Sequence, residues 1–520
     1  MTSAIVGDAN SPDVPPSDRS RASWWPEALA IAIALIAGSL LPPAPLSPDV
    51  SWQLWIAHQM RHGARLYVDI IETNPPLWFW MAMPVDSLAE ATGTSSGRWL
   101  ITALALAAAA SLAATGRLLA HIADAPRAAL LGYAALVILW MPLADIGQRE
   151  QLVLIASLPY AALAGRRSRG TAVPRAGAIG VGIGAGLGFA LKHYFLLVPL
   201  LLELWLIAIL GRRYRPWRLE IIAMAALGAA YAIAIGVVTP SYLSAIVPML
   251  RLLYGATGIP QTLRPAQIAW ILTAAALLCR PRLLRDGEAP FATATGVAAI
   301  GFALAWAIQH KGWGYHAIAT TGCLSIALAA LLAERWRDVP TAMRAIGPAL
   351  LLLPIWIGLH DGPYVDPYPP YTAWATAGLS RGSSIAFVGS DPALAWPLTP
   401  DRGFRYPSRH YGFWMLRAIA QHEAGDHDQR VAAFGRKLAA DTAQDYSCDQ
   451  PDRIAFVRPT GNGPVEDNPL DTLAFFSRDA GFRDLLGHYR LWRRANNLDV
   501  YQRIAPFPRP PATTCRREAE

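Results

Sequence analysis

Residues 47–80 read SPDVSWQLWIAHQMRHGARLYVDIIETNPPLWFW. An apolar segment precedes this stretch directly, yet it holds Asp49, His58, Arg61, His62, Arg65, Asp69 and Glu72 among its aromatic residues. A charge left at the centre of a bilayer costs about 2.5–3.5 kcal/mol on insertion scales. The stretch is therefore expected to be a loop at a membrane surface, and the placing of everything downstream follows from it.

The chain around it has 520 residues, 53% of them hydrophobic, and a mean hydropathy of +0.28. These values exclude an ordinary soluble protein and point to a polytopic α-helical membrane protein. The charge of +8 and pI near 9.4 would suggest nucleic acid in a soluble chain. Here the basic residues cluster in short loops between apolar runs, where they act as an orientation signal, so no nucleic-acid partner is expected. Residues 1–24 are polar and expected to be disordered and cytoplasmic. They lack the parts of a cleavable secretory signal, so the first apolar run reads as a retained anchor.

Residues 75–93, PPLWFWMAMPVDSLAEATG, decide the topology. They are apolar but interrupted by Pro84, Asp86 and Glu90. Laid along the interface, they leave spans near 26–41, 98–120, 127–144, 151–165, 176–191, 194–211, 219–239, 266–280, 290–309, 316–333 and 342–360. Alternate connections then hold Arg117 and Arg127; Arg166, Arg167, Arg169 and Arg175; Arg212, Arg213, Arg215 and Arg218; Arg280, Arg282 and Arg285; Arg335 and Arg337. All would be cytoplasmic, as the positive-inside rule requires, whereas counting 75–93 as a span puts every cluster outside. The expected fold is a membrane domain over 25–360 with about eleven transmembrane helices and interfacial helices in its first external loop. A small extracytoplasmic α/β domain is expected over 361–520.

In that tail, a proline-rich linker precedes a helix near 371–380, a strand over 383–391 and helices within 411–442. A strand over 453–459, a helix near 470–490 and a terminal strand LDVYQR follow. Cys448 and Cys515 occupy polar positions and can pair in an oxidising compartment. No C-x-x-C occurs, and Cys279 and Cys323 fall at or in spans.

The connections opposite the basic clusters have another character. They are residues 47–80, Asp145-Ile-Gly-Gln-Arg149-Glu150-Gln, Lys192-His193-Tyr194, residues 240–264, and Gln309-His310-Lys311-Gly-Trp-Gly-Tyr315-His316. They sit hard against spans and mix one or two charges with His, Tyr and Trp, the pattern of a pocket at the outer membrane boundary. Asp49 suits a general base, although taken alone its plainer reading is a cap on a short helix starting near Ser51.

The order Asp49, then Gly63-Ala-Arg-Leu-Tyr67-Val-Asp69, then Glu72-Thr-Asn-Pro75-Pro76-Leu77 resembles the first external loop of the GT-C superfamily of membrane glycosyltransferases. The likeness is to the branch of polyprenyl-phosphate-sugar transferases that includes lipid A aminoarabinose transferases and protein O-mannosyltransferases. It implies a transferase at the cytoplasmic (inner) membrane. Sugar would pass, with inversion, from a polyprenyl-phosphate-linked donor to an extracytoplasmic glycan, lipid or protein acceptor, in contact with membrane lipids. The resemblance implies Asp49 as the base. It implies donor or acceptor contacts for Tyr67, Asp69, Glu72, Arg149, Glu150, Lys192, His193, Lys311, Tyr315 and His316. Lysine and arginine at a bilayer boundary suit phosphate, and tyrosines suit a sugar face; snorkelling or interfacial pairing is the plainer reading of the same cations.

Other signals carry less. His58 and His62 stand four apart but lack the glutamate of H-E-x-x-H, so no metal ligands are assigned, and a divalent cation is left open as cofactor. Gly180, Gly184 and Gly188 suit close helix packing. Glu203 lies inside a span without an evident role. The competing reading is a transporter or flippase of lipid-linked substrates, which would show repeated halves with broken helices that this sequence lacks. A scaffold with a partner-binding tail would leave the charged external loops unexplained.

Overall fold

Runs rich in Ala, Leu and Ile, with little polar surface to satisfy, close their backbone hydrogen bonds within themselves and form helices. The computed structural model describes residues 23–257, 271, 289–335, 341–426, 428–459, 470–511 and 513–515. In order come α1 (Trp25–Ser39), α2 (Pro48–Arg61), α3 (Leu77–Thr92), α4 (Ser96–Leu118), α5 (Asp124–Trp140), α6 (Arg149–Ser168) and α7 (Arg175–Phe189). Then follow α8 (Leu197–Leu210), α9 (Leu219–Val238), α10 (Val247–Leu253), α11 (Pro290–Gln309), α12 (Ile318–Arg335) and α13 (Thr341–Asp361). Helices occupy the expected spans other than 266–280, of which only residue 271 is described; Cys279 lies outside the described residues. By length and composition alone, five described segments can cross a bilayer: Ser96–Leu118, His193–Arg213, Leu219–Val238, Pro290–Gln309 and Gly314–Arg335. The expectation of about eleven spans rested on counting shorter apolar helices too, such as Trp25–Ser39 and Arg175–Phe189.

The hub is α6, which packs against α4, α7, α8, α11 and α12. Small residues permit the approach: a Cβ on Gly301 would meet the Val198 backbone, and one on Gly322 the Leu154 side chain. Of the three expected packing glycines only Gly188 abuts a neighbour, α6; Gly180 and Gly184 face open space, and Gly182 and Gly186 meet α9 instead. The outer sides of α8 and α9 leave Leu200, Leu204, Ile207, Ile222, Ile233 and Val237 exposed. So continuous an apolar face is stable in hydrocarbon and not in water; the chain is a membrane protein.

Segment 75–93 forms α3, which ends at Gly93 in the left-handed conformation (φ 65°). Its 16 residues extend roughly 24 Å at 1.5 Å per residue, short of a bilayer core of about 30 Å. It packs on α2, where Asp86 accepts hydrogen bonds from Arg61 (2.6 Å) and His58 (3.2 Å). That contact accounts for one of the histidines singled out above, and the His62 ring bonds the His58 carbonyl.

Among the described residues, alternate connections meet at opposite ends of the bundle. At one end Arg167 and Arg218 share Glu220, and Arg218 also holds Glu203, which accepts from Tyr160 and Tyr214. Glu203 is therefore part of an ion-pair network. The other end carries α2, the start of α6 and the 190–193 and 310–316 turns.

After α13 the chain forms a four-stranded sheet of order β1-β2-β4-β3, with β1 Ile385–Val388, β2 Arg453–Val457, β3 Tyr489–Ala495 and β4 Leu498–Arg503. Strands β1 and β2 pair in parallel and are wholly buried, as their unbroken apolar reading requires. The helix expected over 470–490 is instead two short helices, Thr472–Phe476 and Ala480–Leu486, started by Asp471 and Asp479 caps, followed by β3. Residues 411–442 likewise divide, into Leu416–Gln421 and Gln429–Asp449. Cys448 and Cys515 form a disulfide; Cys323 is buried and unbonded to sulfur. Non-reducing peptide mapping of protein from native membranes should recover Cys448 and Cys515 in one linked pair, and finding both alkylated without reductant would contradict this.

Candidate functional site

The site begins at Gly147, whose φ of 90° turns the chain sharply into α6. Its carbonyl accepts from Trp78 Nε1 (3.2 Å), and its N–H donates to Gln151, whose amide in turn donates to the Ile138 carbonyl. A Cβ there would meet Leu100 and Val50. This fixes Gln148 as the N-cap and Arg149 and Glu150 in the first turn of α6.

Glu150 and Lys192 form a buried ion pair at 2.6 Å, with His316 Nε2 3.3 Å from the ammonium. Burial pushes Lys192 down to about 8, against the raising pull of Glu150. Tyr315 presents its ring to the same ammonium at 5.5 Å. Arg149 is different. Only 3% exposed, it has its Nε and Nη1 buried without a hydrogen-bond partner among the described residues. A positive side chain also gains nothing from the positive end of a helix. This pairing of a buried arginine with a helix N-terminus is a ready site for an anion.

Asp49 lies in the first turn of α2, where the helix dipole favours a carboxylate. Its carboxylate does not cap that helix: Oδ1 accepts from the Tyr411 hydroxyl (2.9 Å) and Oδ2 from Gln148 (3.3 Å). Asp145 sits near both acids, and burial first, then Asp49 and Glu150, raises it to about 7. Glu72 is saturated. One oxygen takes Trp52 Nε1 (2.6 Å), the other the backbone and side-chain N–H groups of Asn74 and the backbone N–H and hydroxyl of Thr73. It shapes the 72–76 turn.

These groups surround a cavity of about 990 Å³. Asp49, Glu72, Arg149, Lys192, His193, Tyr315 and His316 line it; Glu150 lies directly behind, on Lys192. Tyr67, Asp69 and Lys311 are not in the lining. Tyr67 holds the Asn74 carbonyl (2.5 Å), Asp69 pairs with Arg65 (2.8 Å), and Lys311 donates to the Tyr254 carbonyl (3.1 Å) with its ammonium over that ring. Burial lowers Lys311 to about 8. Residues outside the expected set also reach the cavity: Asp145, Gln148, Arg251, and Asp391, Tyr411 and Arg417 from beyond α13. No cluster of three or more potential metal-ligating side chains occurs among the described residues.

No family model matches the chain, and no curated protein matches its sequence. Among solved structures, ArnT from Cupriavidus metallidurans, bound to undecaprenyl phosphate, superposes with a TM-score of 0.51 at 11% identity, covering 92% of this chain and 98% of that one. The chain has the GT-C fold. In this chain the cavity lies where α2, the start of α6 and the 190–193 and 310–316 turns meet the region beyond α13.

Lys192→Met leaves Glu150 buried without its cation, and losing one partner of a buried pair costs about 3–5 kcal/mol. Thermal or chemical unfolding in detergent should show that loss, with partial recovery in the Lys192→Met/Glu150→Gln double variant. Single and double variants of equal stability would contradict the pairing.

Proposed function

We propose that the protein is an inverting glycosyltransferase that takes a sugar from a polyprenyl-phosphate-linked donor and passes it to an acceptor outside the cytoplasmic membrane. The observation that carries this reading is Arg149: a buried guanidinium at a helix N-terminus, unpaired among the described residues and facing the same cavity as Asp49. A sugar phosphate supplies the missing anion. The GT-C fold and the undecaprenyl phosphate bound to ArnT support the same reading.

In this mechanism Asp49 accepts the proton of the acceptor hydroxyl as that oxygen attacks the anomeric carbon. The bond from that carbon to the phosphate oxygen breaks, and both electrons leave with the lipid phosphate. Arg149 neutralises the growing charge, with Lys192 beside it, the electrostatic assistance that dominates such transfers. His193 and Tyr315 line the cavity and are assigned to the sugar. Lys311, Tyr67 and Asp69 act from behind the wall, and Glu72 orients substrate only through the turn it holds. The tail and the cavity are assigned to the extracytoplasmic side, opposite the arginine clusters, where a disulfide persists.

Incubation of purified protein with labelled polyprenyl-phosphate sugars tests this directly. Asp49→Asn should lower kcat by about 10²–10⁴, the usual contribution of a general base. Arg149→Gln should weaken donor binding at least about tenfold, a charged hydrogen bond being worth roughly 1.5–3 kcal/mol. Wild-type rates from either folded variant would contradict the assigned role.

The pH dependence has a definite sign. Lys192, lowered to about 8, is cationic below that pH and neutral above it. Donor KM should therefore rise as pH increases from 7 to 9, and a KM that falls over this range would count against phosphate binding beside this amine.

A further inference from the structure

Tyr411 stands 362 residues from Asp49 in the chain, yet its hydroxyl donates to Asp49 Oδ1 at 2.9 Å. We infer that Tyr411 is a positioning residue for Asp49, so that the region beyond the membrane helices completes the reacting site. The inference rests on the reading of Asp49 as the base.

The phenol is held from three directions. Its ring stacks on Trp52, with centroids 5.3 Å apart and planes 24° apart, and Trp52 is itself tied to Glu72. The Tyr406 hydroxyl donates to the carbonyls of His410 (2.7 Å) and Tyr411 (3.2 Å). Just before it, the Arg409 carbonyl accepts from the Ile71 N–H (2.7 Å), and the Arg409 side chain is fixed on Asp445 (2.7 Å). Segment 409–411 is thus pinned to the first loop by backbone and to the helix Gln429–Asp449 by charge. A hydroxyl needing only a partner would not require this scaffold.

The consequence for the carboxylate is geometric. With Oδ1 held by Tyr411, rotation about the Cβ–Cγ bond is restricted, and Oδ2, whose contact to Gln148 is the longer at 3.3 Å, is the oxygen left for the acceptor hydroxyl. Alignment of this kind acts on the rate of proton transfer and not on donor affinity.

Tyr411→Phe keeps the stacked ring and removes only the donor. The expected result is a roughly tenfold fall in kcat with donor KM unchanged, no further fall when Tyr411→Phe is added to Asp49→Asn, and several-fold faster hydrogen exchange at amides 50–53 with exchange over 429–449 unaltered. Unchanged kcat, or unchanged exchange at 50–53, overturns the inference. If Tyr411→Phe loosens 429–449, Tyr406→Phe replaces it: freeing the 410–411 backbone while keeping the phenol should lower kcat to a smaller extent, and wild-type kcat there overturns the inference. Should the wild-type protein transfer no sugar, the transferase reading fails by itself, and exchange at 50–53 still decides whether Tyr411 holds Asp49.

Discussion

A buried carboxylate needs a cation, and in this protein Glu150 takes Lys192. That choice leaves the adjacent Arg149 with charge and no hydrogen-bond partner among the described residues in the same wall. Placing an unneutralised guanidinium in the interior is costly, and it is tolerated where a ligand of opposite charge completes the site. The proposed chemistry follows from this one imbalance.

Geometry keeps the imbalance in place. The sharp turn at Gly147 sets the start of α6, and Trp78 from α3 and Gln151 hold that turn. Helix α2 brings Asp49 to Gln148, the cap of α6, so a carboxylate and a cation are carried on two helix N-termini that touch. Buried polar bonds of this density rigidify a site. The saturated Glu72 extends the rigidity into the first loop by fixing Trp52 on one side and the Thr73–Asn74 backbone on the other.

Much of this was legible in the sequence, because hydropathy and the arginine clusters act over whole segments. The helices, the short α3 and the pairing of charged connections at one end come from such averages. Single side chains were less legible. The density of charge in 47–80 marked a site, but it could not show that Asp69 answers Arg65 or that Lys311 turns to Tyr254. Tyr411 carried no local signal at all, since its contact with Asp49 exists only once 409–411 docks on Ile71. Strand β3 was hidden by a helical-looking composition, although Asn496-Asn497 before LDVYQR is turn chemistry that marks a hairpin, and Asn496 takes φ 50° there.

The central claim is that a carrier phosphate completes the charge left open at Arg149. A cryo-electron microscopy structure of the protein with undecaprenyl phosphate tests it most directly. The account predicts the phosphate within hydrogen-bonding distance of the Arg149 guanidinium, facing Asp49 across the cavity. A phosphate bound elsewhere, with Arg149 still unpaired, would contradict it.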